Sequence, residues 1–495
     1  MAKSLHHPVR RYPLIVALLL ALAQIQAPVV AQSSRAIDQL RHDIDAILGS
    51  PVLQRGFWGV VIRPVDSPDP WYARNAEKLM VPASSMKVVT LAAAAEKLGW
   101  DFRFETKVFT AGTVRAGVLH GDLIVVGSGD PSLDDWDCIA TRLWAGWAEQ
   151  LKTAGITAID GRIVGDDNAF DDEGLGAGWA WDDIPAGFSA PVSALQFNEG
   201  NVQVRLGPGD AVGARAIATV MPETGGITLR NFIVTGPARS AGTVVRRRLP
   251  GATQLELHGS LPLRGRPYSQ NVSVDNPTLY YVRALRAALV ADGIAVSGAA
   301  VDVDEMAAPP PHEGLTPLIT YQSDPLSVLA TTMMKLSQNQ YAEALLKTIG
   351  GGTAECGRTV IRTTLQDWNI DPAGVILVDG SGLSRYNYIT PEAMVAVLTH
   401  VDRTERLRAT YESTLPIAGR DGTLEERMRG TPAEGRALGK TGSMNGVRSV
   451  AGYVRTADGQ MVAFTIIANN FDNSSAVVNA ATDEIIVRLA TYRSR

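Results

Sequence analysis

The chain has 495 residues, 45% of them hydrophobic and 20% charged, with a net charge of −5. That length exceeds one ordinary core, and the apolar content excludes a mostly disordered chain. Two cysteines exclude a disulfide-dense scaffold and a four-cysteine zinc site, and the acidic balance argues against a protein held to nucleic acid by phosphate contacts. Lysine is scarce, with nine lysines against 37 arginines. A lysine kept against that background marks a place where a deprotonatable amine is useful, although coding bias accounts equally well for most of the nine.

The N-terminus reads as an address. Arg10 and Arg11 precede the apolar run Leu14 to Ala23, and Val29-Val30-Ala31 offers a cleavage site. This is the pattern of a secretory signal peptide over 1–31, too short for a transmembrane helix. Its removal takes away Lys3, Arg10 and Arg11 and no acid, moving the net charge from −5 to −8. The expectation is an exported, extracytoplasmic (for instance periplasmic) protein without a transmembrane anchor. There, Cys138 and Cys356 either pair or stay free; their spacing does not decide.

Residues 33–49 have the spacing of an amphipathic helix, and Phe57 to Pro64 reads as a strand. Ser84 to Leu98 reads as a helix with an Ala-rich middle, closed by Gly99. From Phe102 the pattern changes to short strands over 102–108 and 118–126. Residues 200–305 are strand-rich, with one helical stretch near 279–289. Ala307 to Pro311 is a linker. Helices are expected over 326–349, 354–368 and 391–401, strands over 447–454 and 462–468, and a last helix near 474–492. Helical segments thus flank a β-rich block, which predicts a split domain with an insertion.

Ser84-Ser85-Met86-Lys87 is Ser-x-x-Lys at a helix start. Positions i and i+3 share a face, so hydroxyl and amine can meet. Apolar neighbours would desolvate Lys87 and suit it as a base for Ser84. Alone the word is weak, since chance supplies about half a match in this composition. Lys440-Thr441-Gly442 is rarer, and offers a cation, a hydroxyl and a small residue beside which a substrate backbone could lie. Ser-x-Asn occurs at Ser269-Gln270-Asn271, Ser337-Gln338-Asn339 and Ser443-Met444-Asn445. Only Ser337 lies in the helical part, between the other two words. The order Ser-x-x-Lys, Ser-x-Asn, Lys-Thr-Gly is the motif set of penicillin-binding proteins and serine β-lactamases.

Longer blocks extend the match: Val81 to Thr90, Leu119 to Ser132, Trp179 to Asp183, Phe188 to Leu195, Asp379 to Arg385 and Lys440 to Val447. In these the chain resembles the penicillin-binding protein 4 type of D-Ala-D-Ala carboxypeptidase/endopeptidase. The resemblance implies an α/β, multi-domain chain with a penicilloyl-serine-transferase (β-lactamase/transpeptidase-like) domain split over 32–98 and 318–495. A β-rich inserted domain takes up 99–208 and 260–317, and a small nested β-rich domain 209–259. Ser84 would attack the carbonyl of the penultimate D-Ala, with Lys87 taking its proton. Ser337 would pass a proton to the leaving amine, Asn339 would hold the substrate amide, and Lys440 would tune Ser337. Thr441 would bind the terminal carboxylate, with Gly442 in the substrate-binding strand and the N–H groups of Ser84 and Ser443 as oxyanion hole. Asp166, Phe170, Arg385 and Asn445 match a pocket for the free end of the peptide side chain, Asn445 being shorter than the residue usual there. The implied partners are peptidoglycan stem peptides and β-lactams, with no cofactor and no metal.

Other chemistries fit less well. The five histidines after residue 31 lie beside no Ser motif, there is no G-x-S-x-G elbow, and no His-x-x-x-His zinc pair occurs. A serine β-lactamase-like hydrolase shares the three words, but no glutamate stands out to prime deacylation. A weakly catalytic scaffold that only binds wall peptides is the remaining alternative.

Overall fold

The protein is described here from a computed structural model covering residues 35–136 and 138–494. The expected signal peptide lies outside the described residues. Among them, no helix is long and apolar enough to cross a membrane.

Alternation of apolar residues builds the central sheet. In Phe57–Pro64, Val60 and Ile62 join one core and Val61 the other, as a side-chain period of two requires. This strand pairs antiparallel with Met461–Asn469, followed by Val447–Arg455 and, at the edge, Ala437–Met444; Tyr72–Arg74 closes the opposite edge. Strands from both ends of the chain therefore share one sheet, with Val60 opposite Ile466. On one face, a helix over 35–48 and Ser475–Thr491 place Ile44, Leu48, Ile485 and Leu489 against Val60, Ile62 and Phe464. On the other face, Lys87–Leu98, Leu326–Lys335, Asn339–Ile349 and Pro391–Arg403 pack on Val61, Ala451 and Tyr453. The result is an α/β, multi-domain chain with a sheet between helical layers.

The intervening block has its own sheets. Val118–Gly127 pairs with Glu105–Arg115, which pairs with Ile319–Gln322; Ile163–Asp166 and Ala158–Ile159 lie on the other side. Asn201–Gly207 sits between Ile217–Met221 and Tyr268–Ser273, and Gln254–Pro262 contacts Thr228–Asn231, Val234–Gly236 and Thr243–Arg247.

Ile319–Gln322 pairs with Glu105–Arg115, and Ile233, Leu255 and Leu257 share one apolar cluster with Leu123, Val202 and Leu285. Two readings of the elements shift. The helix expected over 326–349 is two helices, broken where Ser337 adopts φ 63°. The break falls in the polar run Ser337 to Gln340, which interrupts the apolar stripe of 326–334. Finally, Ile139–Thr153 and Glu405–Thr414 are helices that went unread; the first buries Trp144, Trp147, Ala148 and Leu151 at helical spacing.

The insert is tied to the catalytic helices by a buried cation. The Lys347 side chain is 4% exposed and its ammonium bonds the Asp171 carboxylate and the carbonyls of Asp171 and Glu173. Removing one partner of a buried pair leaves the other uncompensated, which costs several kcal/mol, less where one partner reaches water as Asp171 does. Lys347→Met is expected to lower stability by about 2–3 kcal/mol in equilibrium urea unfolding.

Candidate active site

The nucleophile turn is held from three sides. Val81 exchanges two hydrogen bonds with the Asn469 side chain, and the Pro82 carbonyl accepts from Ser85 Oγ and Ser449 Oγ. Ala83 has φ 48°, an expensive conformation for a non-glycine residue. A short 3₁₀ turn, Ala83–Met86, then leads into Lys87–Leu98, so Ser84 stands at a helix start, partly exposed. Gly442 and Gly382 clamp this turn. A Cβ on Gly442 would lie 2.4 Å from the Pro82 carbonyl oxygen, and one on Gly382, whose φ is 83°, 2.0 Å from that of Ala83. Gly442 was expected to make room for substrate. Its contacts instead make room for the protein's own nucleophile turn.

Two fully buried lysines bond the two serines, Ser84 and Ser337. Lys87 Nζ donates to Ser84 Oγ at 3.0 Å, Asn339 Oδ1 at 2.6 Å and the Ser381 carbonyl at 2.7 Å. Loss of water pulls its pKa down to about 7, against the opposing pull of Glu343 and Asp379. Lys440 Nζ donates to Ser337 Oγ and to the Thr441 carbonyl, both at 2.8 Å. Burial and the charge of Lys87 push Lys440 well below the usual lysine range. The motif words of three distant segments thus meet: Ser84 and Lys87, Ser337 and Asn339, Lys440 and Thr441. Ser269 and Asn271 stand elsewhere, in an insert strand opposite Arg205 and Gln203.

A nucleophilic hydroxyl on a buried amine, beside a second hydroxyl on a second amine, suits acyl transfer without a metal. The comparisons agree. The model of the D-Ala-D-Ala carboxypeptidase 3 (S13) family matches residues 40–492. The chain belongs to this family. It is 35% identical to the D-alanyl-D-alanine carboxypeptidase of Actinomadura sp. (strain R39), over 94% of this chain and 87% of that one. It is 30% identical to D-alanyl-D-alanine carboxypeptidase DacB of Haemophilus influenzae, over 80% and 82%. The crystal structure of penicillin binding protein 4 from Haemophilus influenzae superposes with a TM-score of 0.80 at 26% identity, over 91% of this chain and 99% of that one. The chain is a serine-type D-Ala-D-Ala carboxypeptidase by family, and its fold is the one these enzymes share.

The S13 site has a layer that sequence reasoning missed. Glu343, one turn beyond Asn339 on the same helix, is buried and accepts from the N–H groups of Gly380 and Ser381 at 3.1 and 2.7 Å. Burial and Asp379 push its pKa up, while those donors pull it down. Asp379 gathers the N–H groups of Gly382 and Ser384, the Asn387 amide and the Trp179 indole. The available signals were the i, i+4 spacing of Asn339 and Glu343 and the acid heading the Asp379 block.

The expected side-chain pocket is partly assembled. Arg385 is exposed and donates to the Asn445 carbonyl at 3.3 Å, so these two share the cleft edge. Asp166 is buried, accepts from Asn168 and lies 3.5 Å from His312. Phe170 is buried beneath the Lys347 ammonium. Neither shows a contact with Arg385; the acid in whose field Arg385 acts is Asp183. The wall of the cleft comes from the insert: Asn339 Nδ2 donates to the Phe188 carbonyl at 2.8 Å, and Gln340 to that of Ala190. Thr441 Oγ1 bonds Thr423 Oγ1, and Ser443 is exposed at the strand end. Outside this site, Asp167, Asp302 and Asp304 bring carboxylate oxygens within 4.8 Å of one another, but Ser193 and Thr278 already bond one Asp167 oxygen and Asn276 one Asp302 oxygen. Cys138 and Cys356 are both free and exposed.

Because Gly442 touches the backbone that carries Ser84, a methyl there must displace the nucleophile. Gly442→Ala is expected to slow acylation about 100-fold, measured with a chromogenic β-lactam, since displacements near 1 Å have that effect.

Proposed function

We propose that this enzyme cleaves the terminal D-Ala-D-Ala bond of peptidoglycan stem peptides, and D-Ala-containing cross-links, through an acyl-enzyme on Ser84. The observation that carries the reading is the 3.0 Å contact between Ser84 Oγ and the buried Lys87 amine. Ser84 attacks the carbonyl of the penultimate D-Ala while its proton passes to Lys87. The N–H groups of Ser84 and Ser443 face the oxyanion. Ser337, bonded to Lys440, delivers a proton to the leaving D-Ala amine. Asn339 orients both Lys87 and the substrate amide, and Thr441 binds the terminal carboxylate. Water then releases the peptide. Arg385, with Asn445 at the cleft edge, receives an anionic end of the peptide side chain; Asp166 and Phe170 belong to this pocket by resemblance alone.

β-Lactams mimic the substrate and acylate the same serine. The relative from Haemophilus influenzae, solved in complex with a β-lactam, supports this. The signal-peptide pattern of residues 1–31 supports export to an extracytoplasmic space, where the wall peptides are. The shared sheet of both chain ends supports a catalytic unit split around an insert, with its second part starting nearer 323 than 318.

Four outcomes test the reading. Fluorescent penicillin labels the wild-type protein, and Ser84→Ala abolishes the label; a labelled Ser84→Ala protein overturns the nucleophile. With purified muropeptides, mass spectrometry detects release of D-Ala or of monomers from dimers; release of neither, with intact binding, leaves only a scaffold, and rapid β-lactam turnover marks a lactamase. The base is active as the free amine, so acylation rises with pH and levels off above about 7, falling roughly tenfold per unit below it. Lys87→Arg, which cannot give up its charge, abolishes acylation across that range.

A further inference from the structure

Glu343 has no role in the steps above, yet it is a buried acid one peptide away from the base. Both its oxygens are occupied by backbone: one takes the N–H of Gly380, the other that of Ser381. The same short segment turns its carbonyls the other way. The Ser381 carbonyl accepts from Lys87 Nζ at 2.7 Å, and the Gly380 carbonyl accepts from Thr90 Oγ1 at 2.7 Å. Thr90 and Lys87 lie one turn apart on the nucleophile helix. Glu343 therefore binds residues 380 and 381 through their N–H groups, while the nucleophile helix binds the same two residues through their carbonyls.

We propose that Glu343 is a positioning residue for acylation. It fixes Ser381, whose carbonyl meets Lys87, and its carboxylate, when ionised, is a buried negative charge beside the ammonium which Lys87 becomes. The step requires such a charge. As Ser84 Oγ bonds to the substrate carbonyl carbon, the carbonyl π pair moves to oxygen and the Ser84 proton moves to Lys87. A full positive charge then appears on a fully buried side chain. Three charged groups surround Lys87: Glu343 from the following helix, Asp379 from the adjoining loop, and Lys440 from the edge strand. Asp379 is saturated by four donors from its own loop and Trp179, and Lys440 opposes the ammonium. Glu343 is the acid whose charge can be removed while one side-chain oxygen is kept for its backbone partners.

The inference rests on Ser84 and Lys87 being the acylating pair, so the test carries Ser84→Ala as its control: acylation of that variant refutes the pair, whereas the outcomes below refute Glu343 alone. The rate of acylation by a chromogenic β-lactam is measured from pH 5 to 9 on the full chain, with thermal unfolding alongside. Glu343→Gln keeps a hydrogen-bond acceptor and removes the charge. The ammonium loses its stabilisation, so the free amine persists to lower pH. The acid limb is expected to move down by at least one pH unit, and the plateau rate to fall at least tenfold. Glu343→Asp keeps the charge but draws it back from the peptides; its limb is expected to return to the wild-type position while its plateau stays reduced. A purely structural residue would lower the rate equally at all pH. An unmoved limb in Glu343→Gln, or an unchanged rate, overturns the proposal. If Glu343→Gln does not fold, Glu343→Asp decides alone, and a limb displaced from that of the wild type overturns it.

Discussion

The structure depends on keeping one amine out of water. A charged ammonium with no partners would be prohibitively expensive in a protein interior, so burial requires hydrogen-bond acceptors and a lowered proton affinity together. Lys87 has three acceptors: the Ser84 hydroxyl one turn back, the Asn339 amide and the Ser381 carbonyl. The last two come from segments 252 and 294 residues away. To bring them together, the chain must close its central sheet with strands from both ends, break a helix at Ser337 and fold the Asp379 loop onto the nucleophile helix. Each of these features carries a local cost, including left-handed backbone at Ala83 and Ser337 of roughly 1–3 kcal/mol apiece. The dense packing around the cleft offsets it.

The same constraint explains why glycines and small hydroxyls crowd the nucleophile turn. Ser84 needs a fixed approach to Lys87, and the turn achieves it by pressing against neighbouring backbone at Gly442 and Gly382. Ser449 and Ser85 satisfy the Pro82 carbonyl that this pressing buries. The Lys-Thr-Gly strand therefore serves two surfaces. One side packs on the nucleophile turn, and the other presents Thr441 and Ser443 along the cleft.

The insert is part of the site rather than an attachment to it. Its segment from 171 to 190 meets the catalytic helices through Lys347, Trp179, Asn339 and Gln340. Asn339 is the junction. Its oxygen accepts from Lys87 and its nitrogen donates to the Phe188 carbonyl. Buried charge and backbone hydrogen bonds thus join the segment from 171 to 190 to the helices around Lys87.

By itself the sequence pointed to the family and to the words on which its chemistry is read. Scarce lysines at Lys87 and Lys440, a Ser-x-x-Lys word at a helix start and a Lys-Thr-Gly word at a strand are local patterns, and local spacing is what a sequence records. It also determined the alternating strands of the central sheet and the helices that cover it. Only the tertiary structure decided that a helix breaks at Ser337, that Gly442 faces the nucleophile turn, and that Glu343 and Asp379 stand behind Lys87. The physical reason is common to all three. Burial, desolvation and left-handed backbone are imposed by contacts between residues hundreds of positions apart, and no periodicity along the chain encodes which distant segment will arrive.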